Sequence, residues 1–193
     1  SMRDHFLFRK ENQLKKEDKS IKQGWDKKIS NLCNLINKSN DYYTTSSCSG
    51  RILILIEDEK KRNDLFLFCS HDLISFDILK KELTQIKDKT KRLVYFRHDP
   101  CILHVSCRTL EKAQEMHDLG KDAGWKRSGI IATKKRFVVE LNATQKIEMP
   151  IINNGEILVD DKLLKVLVDE ANTKLKRCWE FIGRLEKSSP KDL

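Results

Sequence analysis

Residues 52–69 read ILILIEDEKKRNDLFLFC, two apolar runs, Ile52 to Ile56 and Leu65 to Cys69, on either side of a charged segment. Each run is too short for an ordinary helix, and its β-branched and aromatic residues favour extended backbone. The charged turn from Glu57 to Asp64 lets the second run fold back on the first, so the pair is expected to form a hairpin. Upstream, Tyr42 to Arg51 reads as a hydroxyl-rich loop feeding this strand, after a polar break at Asn37 to Asp41. Before that break, Trp25, Ile29, Leu32, Cys33 and Ile36 recur at helical steps and predict a helix from Trp25 to Ile36. Phe6 to Asp18 suits an exposed amphipathic helix.

Downstream, a helix is expected over Phe76 to Ile86, then strands over Leu93 to Arg97 and Ile102 to Cys107 about a corner at Asp99-Pro100. A helix from Leu110 to Asp122 stops near Gly124, and strands Ile130 to Thr133 and Phe137 to Leu141 are joined by the basic turn Lys134-Lys135-Arg136. A corner at Pro150 and a turn at Asn154-Gly155 lead to a long helix from Asp160 to Leu185, with a fraying tail from Lys187 to Leu193. Hairpins alternating with helices point to an α+β fold, a single domain over 1–193 with a largely antiparallel sheet flanked by helices. Helix, Ser-Gly, two strands and helix describe both Trp25 to Ile86 and Leu110 to Leu185, around Ser49-Gly50 and Ser128-Gly129, which raises an internal duplication.

Composition removes several classes. The five apolar residues Ile52 to Ile56 fall far short of the roughly 20 that a membrane-spanning helix needs. Ser1 to Lys10 lacks the apolar core and cleavage site of a secretory signal, so a cytoplasmic protein is expected. The six cysteines form no Cys-x-x-Cys pair and match no histidine pair, so no metal site is expected. No G-x-G-x-x-G or Walker sequence is present, which argues against a doubly wound nucleotide-binding fold. The net charge of +9 invites a polyanionic partner. Lysine contributes 27 of the 38 basic residues and asparagine occurs ten times, so a compositional bias of the genome explains the same charge.

The segment Thr44-Thr45-Ser46-Ser47-Cys48-Ser49-Gly50-Arg51 concentrates hydroxyls, a thiol, a glycine and a guanidinium, a set able to wrap an anion or polar heterocycle. A capped, solvated turn would have the same composition. Ser128-Gly129, after Lys126-Arg127, is either a second cradle or an ordinary turn. Tyr42 and Tyr43 are the better base-stacking candidates, ahead of Trp25, Trp125 and Trp179. His5, His71, His98 and His117 read as surface residues. Basic turns at Lys60-Lys61-Arg62, Lys87 to Arg92 and Lys134-Lys135-Arg136 suit either RNA backbone contact or plain solvation.

The string from Leu35 through Asp41-Tyr42-Tyr43-Thr44-Thr45-Ser46-Ser47-Cys48-Ser49-Gly50-Arg51-Ile52 resembles the signature of the wybutosine-synthesising protein three family. Asp99-Pro100 with Ile102-Leu103-His104-Val105, then Gly124, Ser128-Gly129-Ile130, Thr144, Pro150 and Ala171-Asn172 continue the resemblance in order, over roughly Asp18 to Leu185. Two positions depart from the pattern: Asn142 stands where the family has arginine, and Gln23 where it often has glycine. The resemblance implies S-adenosylmethionine-dependent methylation of a ring nitrogen, N4, of the tricyclic wybutosine precursor beside the anticodon of phenylalanine tRNA, on a fold that is not a Rossmann sheet. It places cofactor or substrate contacts at Thr45, Ser46, Ser47, Cys48, Ser49, Gly50, Arg51, Ser128 and Gly129, near the strand holding His104. It leaves Tyr42, Tyr43, Lys134, Lys135 and Arg136 for the tRNA. A proton on the accepting nitrogen needs an acceptor, for which Asp26, Asp99 and His104 are the candidates. Asp26 serves equally as a charge at a helix start, and His104 as a structurally bonded strand residue. The competing readings are a noncatalytic RNA-binding module of the same fold and an interaction protein.

Overall fold

The computed structural model describes residues 4–22, 26–58, 60 and 64–192, the side chains of 17–22 and 189–192 excepted. In chain order the elements are α1 (His5–Lys22), α2 (Lys27–Asn37), β1 (Tyr42–Cys48), β2 (Arg51–Ile56), β3 (Leu65–Ser70), α3 (Phe76–Ile86), β4 (Val94–Asp99) and β5 (Ile102–Cys107). There follow α4 (Leu110–Asp122), β6 (Gly129–Ala132), β7 (Phe137–Asn142), β8 (Ile147–Asn153), β9 (Glu156–Ile157) and α5 (Asp161–Asp192). All strand pairs are antiparallel, in a four-stranded sheet ordered β1-β5-β7-β6 and a five-stranded sheet ordered β3-β2-β4-β8-β9. The expected α+β architecture without a parallel, doubly wound sheet is therefore the one found. The hairpin of residues 52–69 forms as β2 and β3, with Ile52 opposite Ser70 and Ile56 opposite Leu65. Half of its charged turn, including Lys61 and Arg62, lies outside the described residues, as do Gln23 and Trp25.

Several expectations need correction. Tyr42 to Cys48 is a strand and not a loop: Tyr-Tyr-Thr-Thr favours extended backbone, and the hydroxyls decorate a ladder paired with β5. The true turn is only Ser49-Gly50, where Gly50 takes φ 102°, a region closed to most side chains. Pro150 is no corner but lies inside β8 opposite Tyr95, beside a register shift between Val94 and Tyr95 that suits a residue with no N–H. The Asn154-Gly155 turn closes β8 onto β9 with φ 50° and 77°, the conformation of a two-residue hairpin loop. β4 and β5 join different sheets, and α5 continues through the expected frayed tail to Asp192. α1 extends to Lys22, and its Phe6 is buried. The echo between the halves is inexact: the first contains the antiparallel pair β2–β3, the second β6–β7 and β8–β9.

Contacts group the chain into two compact units, Ser1–Ser49 with Cys101–Thr144 and Cys178–Leu193, and Gly50–Pro100 with Gln145–Arg177. In the first, Leu103, Val105, Val139 and Leu141 turn one face of the four-stranded sheet into a core with Ile29, Leu32 and Ile36 of α2, Met116 of α4 and Ile182 and Leu185 of α5. Each such fully buried aliphatic side chain contributes about 1.5–3 kcal/mol. Trp125 is buried there with its Nε1 donating to the Phe181 carbonyl at 3.1 Å. In the second unit, Ile52 to Ile56 are buried, as are Leu79 and Leu83 of α3 and Leu164, Ala171 and Leu175 of α5. Asn172 accepts from Ile74 N–H at 3.0 Å and donates to its carbonyl at 2.8 Å, satisfying a backbone that no strand partners.

Candidate active site

Because Leu103 and Val105 enter the core, alternation puts His104 on the opposite face of the four-stranded sheet. The register then draws four positions into one row across it: Ser46 on β1, His104 on β5, Glu140 on β7 and Gly129 on β6. With strands about 4.8 Å apart, the row is about 14 Å long. His104 Nε2 lies 2.8 Å from Glu140 Oε2, with the two side chains 28% and 31% exposed. Thr45 is the extra residue of a bulge between Thr44 and Ser46, so both Thr45 and Ser46 are exposed beside His104. At the other end of this face Phe6 of α1 covers Tyr43, ring centroids 5.2 Å apart, and Ser106 is buried.

The serine-rich end of β1 is held by Asp26. One carboxylate oxygen accepts from Lys28 N–H at 3.2 Å, capping α2, and the other from Ser49 N–H at 2.8 Å. Asp26 is thus a cap and an anchor for the turn, which fits its alternative reading at a helix start. The hydroxyls of Ser47 and Ser49 are buried and lack hydrogen-bond partners among the described residues, as does Oδ1 of Asn142. Asn142 shares the next row with Ile102 and half-buried Cys48. Folded proteins rarely leave such groups unpaired.

In the second unit Arg51 heads β2, opposite Asp99 on β4. Its Nε donates to Asp99 Oδ2 at 3.0 Å and its guanidinium lies 4.9 Å from the Phe66 ring centroid. Arg97 grips both Asp99 oxygens, at 2.7 and 3.2 Å, and reaches Asp64 at 3.5 Å. Asp99 Oδ2 therefore accepts from both guanidinium groups while Oδ1 lies in an ion pair with Arg97 Nε, so Asp99 braces Arg51.

Other candidates move to structural roles. Tyr42 and Tyr43 are 1% and 3% exposed, so neither ring offers a face to a base; Tyr42 Oη donates to the Lys112 carbonyl at 2.9 Å. Trp125 is likewise core, and Trp179 is partly buried with Lys28 Nζ 4.3 Å above its ring. Ser128 Oγ donates to the Trp125 carbonyl at 2.5 Å and accepts from Asn142 N–H at 3.1 Å, so it clips a turn rather than cradling a ligand. A side chain at Gly129 would meet nothing within 4 Å, so packing does not require glycine there. His98 is no surface residue: it is fully buried, bonded through Nδ1 to the Gln145 carbonyl at 2.6 Å, and burial holds its pKa below the ordinary value. Lys134, Lys135 and Arg136 are exposed and, with Ile130, Ile131, Ala132 and Thr133, line a groove of about 560 Å³ on the β6–β7 hairpin. Glu140 and Arg97 escaped the sequence reading because each matters only through a cross-strand or diagonal partner; the apolar-polar alternation of Val139 to Asn142 was the available signal for Glu140.

Two antiparallel sheets, a histidine–carboxylate pair on an open sheet face and a serine-rich strand end define an α+β protein of a class apart from the doubly wound nucleotide-binding folds. Residues 8–189 match the family described as Methyltransferase TYW3, and the chain belongs to that family. It is 36% identical over 184 residues to a Methanocaldococcus jannaschii protein named tRNA(Phe) 7-((3-amino-3-carboxypropyl)-4-demethylwyosine(37)-N(4))-methyltransferase, covering 93% of this chain and 94% of that one. It is 34% identical to the Xenopus laevis tRNA wybutosine-synthesizing protein 3 homolog, over 97% of this chain and 77% of the relative. The solved structure of PH1069 from Pyrococcus horikoshii superposes with a TM-score of 0.89 at 28% identity, covering 98% and 96% of the two chains. No helix among the described residues is long and apolar enough to cross a membrane.

Proposed function

We propose that this chain, acting as one cytoplasmic tRNA-modifying domain over 1–193, methylates N4 of the aminocarboxypropyl-bearing demethylwyosine base beside the anticodon of phenylalanine tRNA, with S-adenosylmethionine as donor. The reaction is the one in the names of relatives such as the Methanocaldococcus jannaschii protein. The observation that carries it onto these residues is the row Ser46, His104, Glu140 and Gly129 on the open sheet face, beside buried serine hydroxyls that lack partners.

In the first unit Ser47 and Ser49 fit the donor, since their hydroxyls offer hydrogen bonds to its polar groups. In the second unit, taken by itself, Arg51 has a braced guanidinium suited to a carboxylate or phosphate. When bound, the cofactor supplies an electrophilic methyl group on a sulfonium. The chain's own contribution is positioning: Asp26 holds the Ser49 backbone, the bulge presents Thr45 and Ser46, and Cys48 and Gly50 shape the strand end. Holding reacting atoms about 3–3.5 Å apart and in line supplies most of what methyl transfer needs. His104 takes the proton released by the accepting nitrogen. Lys134, Lys135 and Arg136 contact the tRNA backbone from the β6–β7 hairpin. The test is incubation with labelled S-adenosylmethionine and phenylalanine tRNA carrying the unmethylated precursor. Label in the tricyclic nucleoside is expected; tRNA binding without any transfer would leave a noncatalytic RNA-binding module.

A further inference from the structure

We propose that Glu140 is the positioning residue for His104, fixing the imidazole as the Nε2–H tautomer so that its bare Nδ1 accepts the proton from the methylated nitrogen. The inference rests on the methyltransferase reading and adds a residue and a proton path to it. A carboxylate only accepts hydrogen bonds, so an imidazole nitrogen 2.8 Å from Glu140 Oε2 carries the hydrogen, and in the neutral ring the lone pair is then on Nδ1. No described residue makes a hydrogen bond to that Nδ1.

The sheet around the pair separates a rigid centre from adjustable flanks. β5 and β7 pair without a break from Ile102 opposite Asn142 to Cys107 opposite Phe137, whereas the outer pairings slip, between Thr44 and Ser46 on β1 and between Ile130 and Ala132 on β6. The histidine and its carboxylate are thus fixed by an unbroken ladder, and the bulges lie in the strands beside them. Next to Glu140 in the row, Gly129 contributes no side chain, and one added there would meet nothing, so the face beside the pair stays open.

The atoms balance. The nitrogen's electron pair forms the N–CH₃ bond as the carbon–sulfur bond breaks and its pair stays on sulfur, giving a neutral thioether. The N–H proton passes to Nδ1, and the imidazolium, facing Glu140, later returns it to water. The structural alternative is an ordinary cross-strand pair that does nothing but hold two strands together.

The test combines imidazole ¹⁵N NMR, at a pH where His104 is neutral, with single-turnover methylation in wild type, Glu140→Ala, Glu140→Gln and His104→Ala. The wild type is expected to show Nε2–H, Glu140→Ala a mixture of tautomers, and Glu140→Gln, which keeps an acceptor oxygen, mainly the wild-type form. Glu140→Ala should slow transfer about tenfold or more with KM for tRNA and cofactor unchanged, Glu140→Gln should recover most of that rate, and His104→Ala should lose on the order of a hundredfold. An Nδ1–H tautomer in the wild type overturns the proposal, as does Glu140→Ala at wild-type rate with only a lower melting temperature. A wild type that shows Nε2–H but transfers no methyl group sinks the functional reading and the proton path with it, while confirming the pairing itself.

Discussion

Arg51 is braced before any ligand arrives: Asp99 fixes its Nε, Phe66 supports its plane, and Arg97 holds Asp99 in turn. Lysine keeps the charge but has neither the fork nor the flat face, so Arg51→Lys should already cut methylation tenfold to a hundredfold, about 1.5–3 kcal/mol for a charge-assisted contact. The half-exposed pair with Asp99 contributes at most about 1 kcal/mol to folding, so the melting temperature should move by only a few degrees. Activity and melting falling in step across Arg51→Lys and Arg51→Ala would make the residue structural. His98 bears on stability instead. Burial outweighs its bond to Gln145 and holds its folded pKa below the ordinary value of about 6.5. Below that pH the unfolded chain binds more protons than the folded one. The contribution of His98 is therefore complete above about pH 6.5 and is lost as pH falls from there toward the folded value. Urea denaturation at about pH 7.5 and 5.5 should show this loss in the wild type and a smaller one in His98→Gln.

Among the elements, those with a clean period were legible. α3, α4 and β5 have the bounds that their apolar spacing predicts, because a single buried face sets each of them. β1 was not, since Tyr-Tyr-Thr-Thr-Ser-Ser-Cys carries no apolar alternation: its buried side includes the hydroxyl of Thr44, satisfied by Asn37 Nδ2 at 3.0 Å, which no sequence period reveals. β8 was missed because proline ordinarily argues against a strand, and the register shift opposite it is a tertiary fact. The serine-rich segment was found as a site candidate, while its anchor, Asp26 to Ser49 across 23 residues, needed the fold. Asp26→Ala should cost about 1 kcal/mol for the lost cap and lower the melting temperature by about 2–4 °C. A larger loss of methylation than of stability would show that the position of Ser49 matters to the reaction, whereas unchanged melting would deny the cap.

For the molecule as a whole, the charge of +9 gains meaning where basic side chains gather on one exposed hairpin, at Lys134, Lys135 and Arg136. Replacing all three with alanine should weaken tRNA binding, leave cofactor binding unchanged, and lower the slope of log affinity against log salt by about two to three. A slope that does not change would return these residues to plain solvation. The fold class was readable from alternating hairpins and helices, but the division of strands between two sheets was not, because β4 and β5 are separated only by Pro100-Cys101 and nothing local sends them to different partners. The central claim is that the acceptor base lies on the open face of the four-stranded sheet. Photo-crosslinking of phenylalanine tRNA carrying a photoreactive purine at the target position, followed by peptide mapping, tests it most directly. Crosslinks within residues 42–49, 102–107 and 137–142 are predicted; crosslinks confined to the α3 and α5 helices, with none in those strands, would contradict it.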